Sequence, residues 1–189
     1  MIFATHNDHK LSEVLQLLEN KIEIVSLSDM GFIDEIPEPF FTLEENAFVK
    51  SNTLFEKYQK EVFAEDTGLF IESLNGEPGV FSARYAGEKC TSQDNIEKVL
   101  KNLSENENRK AFFKTIICLI KNGETFYFEG KCEGNISLVQ SGNKGFGYDP
   151  IFIPQGYEKT FADISSEEKN AISHRKKAFD KMKDFLLKK

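Results

Sequence analysis

Residues 111–133 read Ala-Phe-Phe-Lys-Thr-Ile-Ile-Cys-Leu-Ile-Lys-Asn-Gly-Glu-Thr-Phe-Tyr-Phe-Glu-Gly-Lys-Cys-Glu. Two long runs rich in β-branched and aromatic residues, 111–120 and 125–133, flank Asn122-Gly123. That dipeptide favours a type I′ turn, which needs positive φ at both central residues, so the stretch predicts a hairpin. With a two-residue turn Lys121 faces Glu124, and paired residue numbers sum to 245. Cys118 then faces Tyr127 and Cys132 faces Phe113. Those two positions lie on opposite faces of the sheet, so no Cys118–Cys132 disulfide is expected.

Outward from the hairpin the chain alternates strand and helix. Residues 1–5 read as a short buried strand and 7–19 as a helix whose Leu11, Val14, Leu15 and Leu18 share one face. Residues 22–27 are strand-like. Residues 34–41, with Pro37 and Pro39 among acids, read as an extended loop. Residues 42–58 are helical behind a Thr42-x-x-Glu45 capping box. Short strands at 61–64 and 68–71 bracket an acidic turn. Residues 91–103 carry Ile96, Val99, Leu100 and Leu103 on one helical face, and 173–187 form a last helix capped by Ser173. The fold class is α/β with a mixed, partly antiparallel sheet flanked by helices.

The 189 residues fit one domain, residues 1–189, or one domain with two lobes. Eighteen Phe and no Trp fill a sizeable core. The longest apolar run, 115–120, is far below the roughly 20 residues that span a bilayer. The start of the chain lacks a basic n-region and an apolar h-region, so no signal peptide is expected. A net charge of −7 argues against binding nucleic acid, which calls for surplus clustered Lys and Arg. Three cysteines without a C-x-x-C pair read as reduced thiols, hence a cytoplasmic protein.

Three places carry residue types that core packing does not require. In Thr5-His6-Asn7-Asp8-His9-Lys10, Asn7 caps the first helix, and free N–H groups plus Lys10 make a phosphate seat. Lys10 opposes the helix dipole unless an anion is near. In Glu65-Asp66-Thr67-Gly68, two carboxylates would sit at a strand end, with Glu38 and Glu45 upstream, where carboxylates plus water and phosphate oxygens suit Mg²⁺. In Gly145-Phe146-Gly147-Tyr148-Asp149-Pro150, open backbone stands beside stacking rings, which suits a base pocket. Lys169 and Ser173-His174-Arg175 follow, and this second cationic helix start reads as an anion clamp.

Together these residues resemble the inosine triphosphate pyrophosphatase, or Ham1-like, family. The resemblance runs in order through Ala4-Thr5-x-Asn7-x-x-Lys10, Thr42-x-x-Glu45-Asn46-Ala47-x-x-Lys50, Glu65-Asp66-Thr67-Gly68-Leu69, Pro78-Gly79-Val80-Phe81-Ser82-Ala83-Arg84-Tyr85, Gly145 to Phe152, and Glu168 to Arg175. It implies a long twisted sheet in two lobes with a cleft between them. The implied activity is hydrolysis of purine triphosphates such as ITP, dITP and XTP to monophosphate and pyrophosphate, with Mg²⁺, in a homodimer. Asp66 would hold the metal and act as general base, with Glu38 as the second metal carboxylate and Glu45 or Glu65 as alternatives. Thr5, His6, Asn7, Asp8, His9 and Lys10 would seat the triphosphate. Thr67, Phe146, Gly147, Tyr148, Asp149, Lys169, His174 and Arg175 would also bind substrate. The chain departs from the pattern at His6 and His9, where Gly is common, and at Glu65, where Asp is frequent.

Overall fold

In a computed structural model describing residues 1–18 and 22–188, the elements run β1 Ile2–Phe3, α1 Asp8–Leu18, β2 Val25–Ser26, α2 Leu43–Tyr58, β3 Val62–Ile71, β4 Pro78–Gly79, α3 Ser92–Asn102, β5 Lys110–Lys121, β6 Glu124–Ile136, β7 Phe152–Pro154, α4 Ser166–Ile172 and α5 His174–Leu187. Glu19, the last residue of the first expected helix, lies outside the described residues. One sheet runs β2-β1-β3-β5-β6-β7, with β4 added beside β3. It is mixed: β1 pairs in parallel with β2 and β3, while β3–β4 and β6–β7 are antiparallel.

The hairpin follows its turn. Asn122 and Gly123 take φ of 52° and 78°, both positive as a type I′ turn demands. At the far end the Ile136 N–H donates to the Arg109 carbonyl at 2.9 Å, and those numbers also sum to 245. The Cys118 and Tyr127 side chains are close enough to influence each other, as neighbours in that register are. The three cysteines are free thiols.

Capping fixes the helix starts. Thr42 accepts from Glu45 N–H at 3.2 Å and its hydroxyl donates to the Glu45 carboxylate at 2.6 Å. Thr91 and Asp94 form a complete capping box on α3. Two expectations change. The acidic pair does not sit in a turn, because β3 is one ten-residue strand, and residues 65 and 66 are buried at its middle. The tail holds two helices, with Ser173 ending α4 immediately before α5. On α1, Leu17 takes the buried place expected for Leu15, which is 44% exposed. Packing against Val14 and Leu18 turns the helix toward 17 rather than 15.

The chain forms two compact units. The first comprises Met1–Asp66, Thr115–Gly130 and Arg175–Lys189. It has one core around Phe3, Phe63, Ile117 and Phe179, and another around Leu27, Leu54 and Val62. The second comprises Thr67–Lys114 and Lys131–His174, with a core of Leu69, Val99, Phe113, Phe152 and Phe161.

Candidate active site

In the first unit, neighbours on β3 project to opposite faces of the sheet, so Glu65 and Asp66 enter different surroundings. Glu65 is held by Arg175. The guanidinium Nε donates to both carboxylate oxygens at 3.1 and 2.9 Å, and a terminal nitrogen adds a third bond at 3.0 Å. The other terminal nitrogen donates to Glu13 at 2.5 Å. Lys10 Nζ lies 3.2 Å from Glu65 Oε1. Burial pushes the Glu65 carboxyl up, but Arg175 and Lys10 together outweigh it and hold the group at about 2. Burial likewise opposes the Arg175 charge, and Glu65 and Glu13 overcome it, so its pKa rises.

This corrects the reading of the two cationic helix starts. Lys10 and Arg175 do oppose their dipoles, but the anion that offsets them is Glu65 of this chain. Arg175 is 1% exposed, so its guanidinium holds the chain's own carboxylates rather than lying open as a clamp.

On the other face, Lys50 Nζ gathers three oxygens. It donates to the Glu65 carbonyl at 2.8 Å and to Asp66 Oδ1 at 3.3 Å, and pairs with Glu38 Oε1 at 2.6 Å. Burial is the largest influence on the ammonium and opposes its charge, yet Asp66 and Glu38 keep its pKa above the usual lysine value. Burial raises the Asp66 pKa, against the pull of Lys50. Asp66 Oδ2 is buried with no hydrogen-bond partner.

An orphan carboxylate oxygen beside a second carboxylate fits a hard divalent cation. Among the described residues no group of three His, Cys, Asp or Glu side chains gathers as a metal site. Two protein carboxylates match an Mg²⁺-like ion, which takes most of its ligands from water and phosphate. Of the candidate second carboxylates, Glu45 hydrogen-bonds Thr42 and Glu65 is held by Arg175, whereas the Glu38 side chain meets the same ammonium as Asp66.

The turn into α1 is organised as its sequence suggests. Thr5 Oγ1 accepts from Asn7 N–H at 3.1 Å, and Asn7 Oδ1 accepts from Lys10 N–H at 3.0 Å. His6, Asn7, Asp8 and His9 are exposed. The His6 ring lies over Phe32 at 6.1 Å, and its Nε2 is 3.0 Å from the Asp34 carbonyl.

In the second unit, Asp149 staples the glycine-rich loop. Its Oδ2 accepts from Phe146 N–H at 2.8 Å and from Lys169 Nζ at 2.6 Å. A side chain at Gly145, where φ is 72°, would lie 2.0 Å from that oxygen, so only glycine fits. Lys169 Nζ stands 5.0 Å from the centre of the half-buried Phe146 ring. Gly147 has open space, and Thr67 is half-buried. Tyr148 is not open for stacking: it is buried, its hydroxyl donates to the Ser82 carbonyl at 2.8 Å, and burial raises its pKa. His174 is buried and stacks on Phe113 at 4.6 Å.

Two residues of the site carried no assigned role in the sequence. Lys50 does leave a signal. It falls on the buried face of α2 with Leu43, Ala47 and Leu54, and a lysine at a core position needs anionic partners. Glu13 leaves none, because its partner Arg175 lies 162 residues away.

The chain matches the Ham1 family over residues 1–185 and belongs to that family. A protein of Flavobacterium psychrophilum named dITP/XTP pyrophosphatase is 51% identical over 186 residues, covering 98% of each chain. The Ham1 protein of Staphylococcus aureus superposes with a TM-score of 0.89 at 37% identity, covering 98% of this chain and 96% of that one. A HAM1 protein from Coxiella burnetii gives 0.90 at 36% identity with the same coverage. The expected mixed sheet flanked by helices is therefore the architecture of this family.

Proposed function

We propose that the chain hydrolyses non-canonical purine nucleoside triphosphates, dITP, ITP and XTP, to the monophosphate and pyrophosphate, and so clears them from the nucleotide pool. The names of relatives such as the Flavobacterium psychrophilum dITP/XTP pyrophosphatase support the substrate class. The observation that carries the reading is Asp66, a buried carboxylate with one oxygen held by Lys50 and the other without a partner. Pinning Oδ1 stops the carboxylate from rotating and leaves Oδ2 to take the proton from the attacking water. Burial makes that oxygen a stronger base than a surface aspartate.

Asp66 and Glu38 would hold Mg²⁺, which when bound would neutralise charge on the phosphate oxygens. Water adds to the α-phosphorus, the bond to the bridging oxygen breaks, and pyrophosphate leaves. Thr5, the capped turn 6–9 and Lys10 would bind the leaving phosphates through N–H groups and one ammonium. Phe146 would stack on the base, with the backbone around Gly147, together with Thr67, Lys169 and His174, at its edge. Asp149, Tyr148 and Arg175 would act behind the substrate: the first two shape the loop, and the third fixes Glu65. Positioning and charge would supply most of the rate, as in other phosphoryl transfers.

We take residues 1–189 as one catalytic domain, since β3, β5 and β6 each run through both units. The working form is a homodimer, as the family resemblance implies. Among the described residues no helix is long and apolar enough to cross a membrane, and free thiols suit a cytoplasmic site of action. Incubating the protein with Mg²⁺ and a panel of nucleoside triphosphates tests the function. Pyrophosphate from the 6-oxo purines is expected. Orthophosphate release, or no turnover, overturns the reading.

A further inference from the structure

Ser82 joins three segments of the second unit. It opens a single-turn 3-10 helix, Ser82–Arg84, just after β4, and it is buried. Its hydroxyl sits between two strands at the register pair Leu69–Gly79. Oγ accepts from the Leu69 N–H at 2.8 Å and donates to the Gly79 carbonyl at 2.6 Å. A serine hydroxyl has one proton to donate, so that proton is committed. The backbones of β3 and β4 also meet here, since a Cβ on Gly68 would lie 2.5 Å from the Gly79 oxygen. The Ser82 carbonyl makes the third contact: the Tyr148 hydroxyl donates to it at 2.8 Å. Both residues are buried, so bulk water does not compete for that bond.

The residues after Ser82 are pinned to α3, which makes Ser82 a fixed point. Asn95 donates to the Ala83 carbonyl at 3.1 Å and accepts from the Ala86 N–H at 2.7 Å. Tyr148 belongs to the loop that presents Phe146 and Gly147, and Leu69 follows Thr67 and Gly68 on β3. One residue therefore sets the spacing between the stretch of β3 that bears Thr67 and the loop that would hold the base. Stacking on Phe146 accepts any purine, so base choice depends on hydrogen-bonding groups held in place. Such recognition tolerates misplacement of only about 0.5 Å. We infer that Ser82 is a positioning residue for base selection, acting through Tyr148 on the loop 145–148. Without its hydroxyl, the Leu69 N–H and the Gly79 carbonyl lose their shared partner, and the Ser82 carbonyl is no longer fixed beneath Tyr148. The N–H groups near Gly147 then yield to a 6-amino group instead of opposing it. The inference rests on the reading that this loop holds the base, and adds what holds the loop.

The test compares kcat/KM for inosine and adenosine triphosphates, with Mg²⁺, in the parent, Ser82→Ala, Tyr148→Phe, the double variant and Tyr85→Phe. The last is a control: it removes a hydroxyl bonded to Glu77 and Asn102, off the path from Ser82 to the loop. Ser82→Ala and Tyr148→Phe should each cut the preference for inosine triphosphate from roughly a hundredfold to roughly tenfold, through KM more than kcat. The double variant should fall no further, because both changes break one linkage. Tyr85→Phe should keep the parental ratio even where it lowers Tm. Amide hydrogen exchange over residues 145–148 gives a reading free of turnover: faster in Ser82→Ala and Tyr148→Phe, parental in the control. A parental ratio or parental exchange in either single variant overturns the inference. Additive losses in the double variant, or an equal loss in the control, overturn it too. If Ser82→Ala does not fold, the ratio and exchange of Tyr148→Phe decide alone. A parent that releases no pyrophosphate removes the proposed function and this inference with it. A parent that releases pyrophosphate without preferring inosine triphosphate, or whose variants keep its ratio, removes this inference alone.

Discussion

Replacing Arg175 by methionine separates two opposed arguments about the start of α5. A cation in a first helical turn faces the positive end of the dipole, so removing it should stabilise the protein by about 0.3–1 kcal/mol. The structure predicts the reverse. Arg175 makes three buried hydrogen bonds to Glu65 and one, partly buried, to Glu13. Breaking a buried pair by removing one partner costs about 3–5 kcal/mol. The Glu65 carboxyl gives a comparable figure: its fall from 4.5 to about 2 corresponds to about 3 kcal/mol in favour of the ionised form. In a chain of this size each kcal/mol moves the melting point by about 2–4 °C, so Arg175→Met should melt roughly 10 °C lower at neutral pH. The pH dependence carries a sign. A carboxyl whose folded pKa is depressed contributes its full stability above its unfolded pKa and loses it as pH falls through the folded one. In the parent this contribution is full above about pH 4.5 and lost toward about pH 2, whereas in the variant Arg175 no longer offsets burial and Glu65 takes up its proton at higher pH, so the gap between the two should narrow as pH falls and be smallest near pH 2. Circular-dichroism melts across that range measure it. A variant that melts as high as the parent at neutral pH refutes the structural argument and restores the dipole argument.

Asp66→Asn should keep the melting point, because Lys50 retains Glu38 and the Glu65 carbonyl, while pyrophosphate release falls roughly 10²–10⁴-fold; near-parental turnover at saturating Mg²⁺ would remove Asp66 from the chemistry. Lys10→Ala should raise KM for the triphosphate and lower the melting point slightly, since the ammonium partners Glu65; steady-state kinetics and melts without ligand read both. Gly123→Ala forces a Cβ into φ of 78° and should cost about 1–2 kcal/mol in urea unfolding without changing KM. Inosine triphosphate should exceed adenosine triphosphate in kcat/KM by roughly a hundredfold, because a 6-oxo group accepts from N–H groups near Gly147 where a 6-amino group sets donor against donor. Equal values for the two substrates would end that account of the pocket.

What was legible in the sequence is what local rules decide. The Asn122-Gly123 turn dictated a register that holds to Arg109 and Ile136, because positive φ at two successive residues leaves the strands little choice. Asn7, Thr42 and Thr91 cap their helices through contacts no more than three residues away. The short helix α4 was legible in principle, since Ser165-x-x-Glu168 forms a complete capping box, but the cationic run at 174–177 drew the helix start to the later position. The acidic pair was legible only as residue types. Two adjacent carboxylates look like a turn unless their partners are known, and those partners come from far along the chain: Arg175 for Glu65, and Lys50 for Asp66. With cations waiting on both sides, β3 has no need to break, and the two-residue period of a strand then separates the acids. One neighbour becomes a fully paired anion held at about 2, and the other a buried carboxylate with a raised pKa and an open oxygen. Had the pair lain in a solvated turn, both would share one environment and neither would differ much from an ordinary surface acid. The continuity of β3 is therefore what makes a base of Asp66 and an anchor of Glu65.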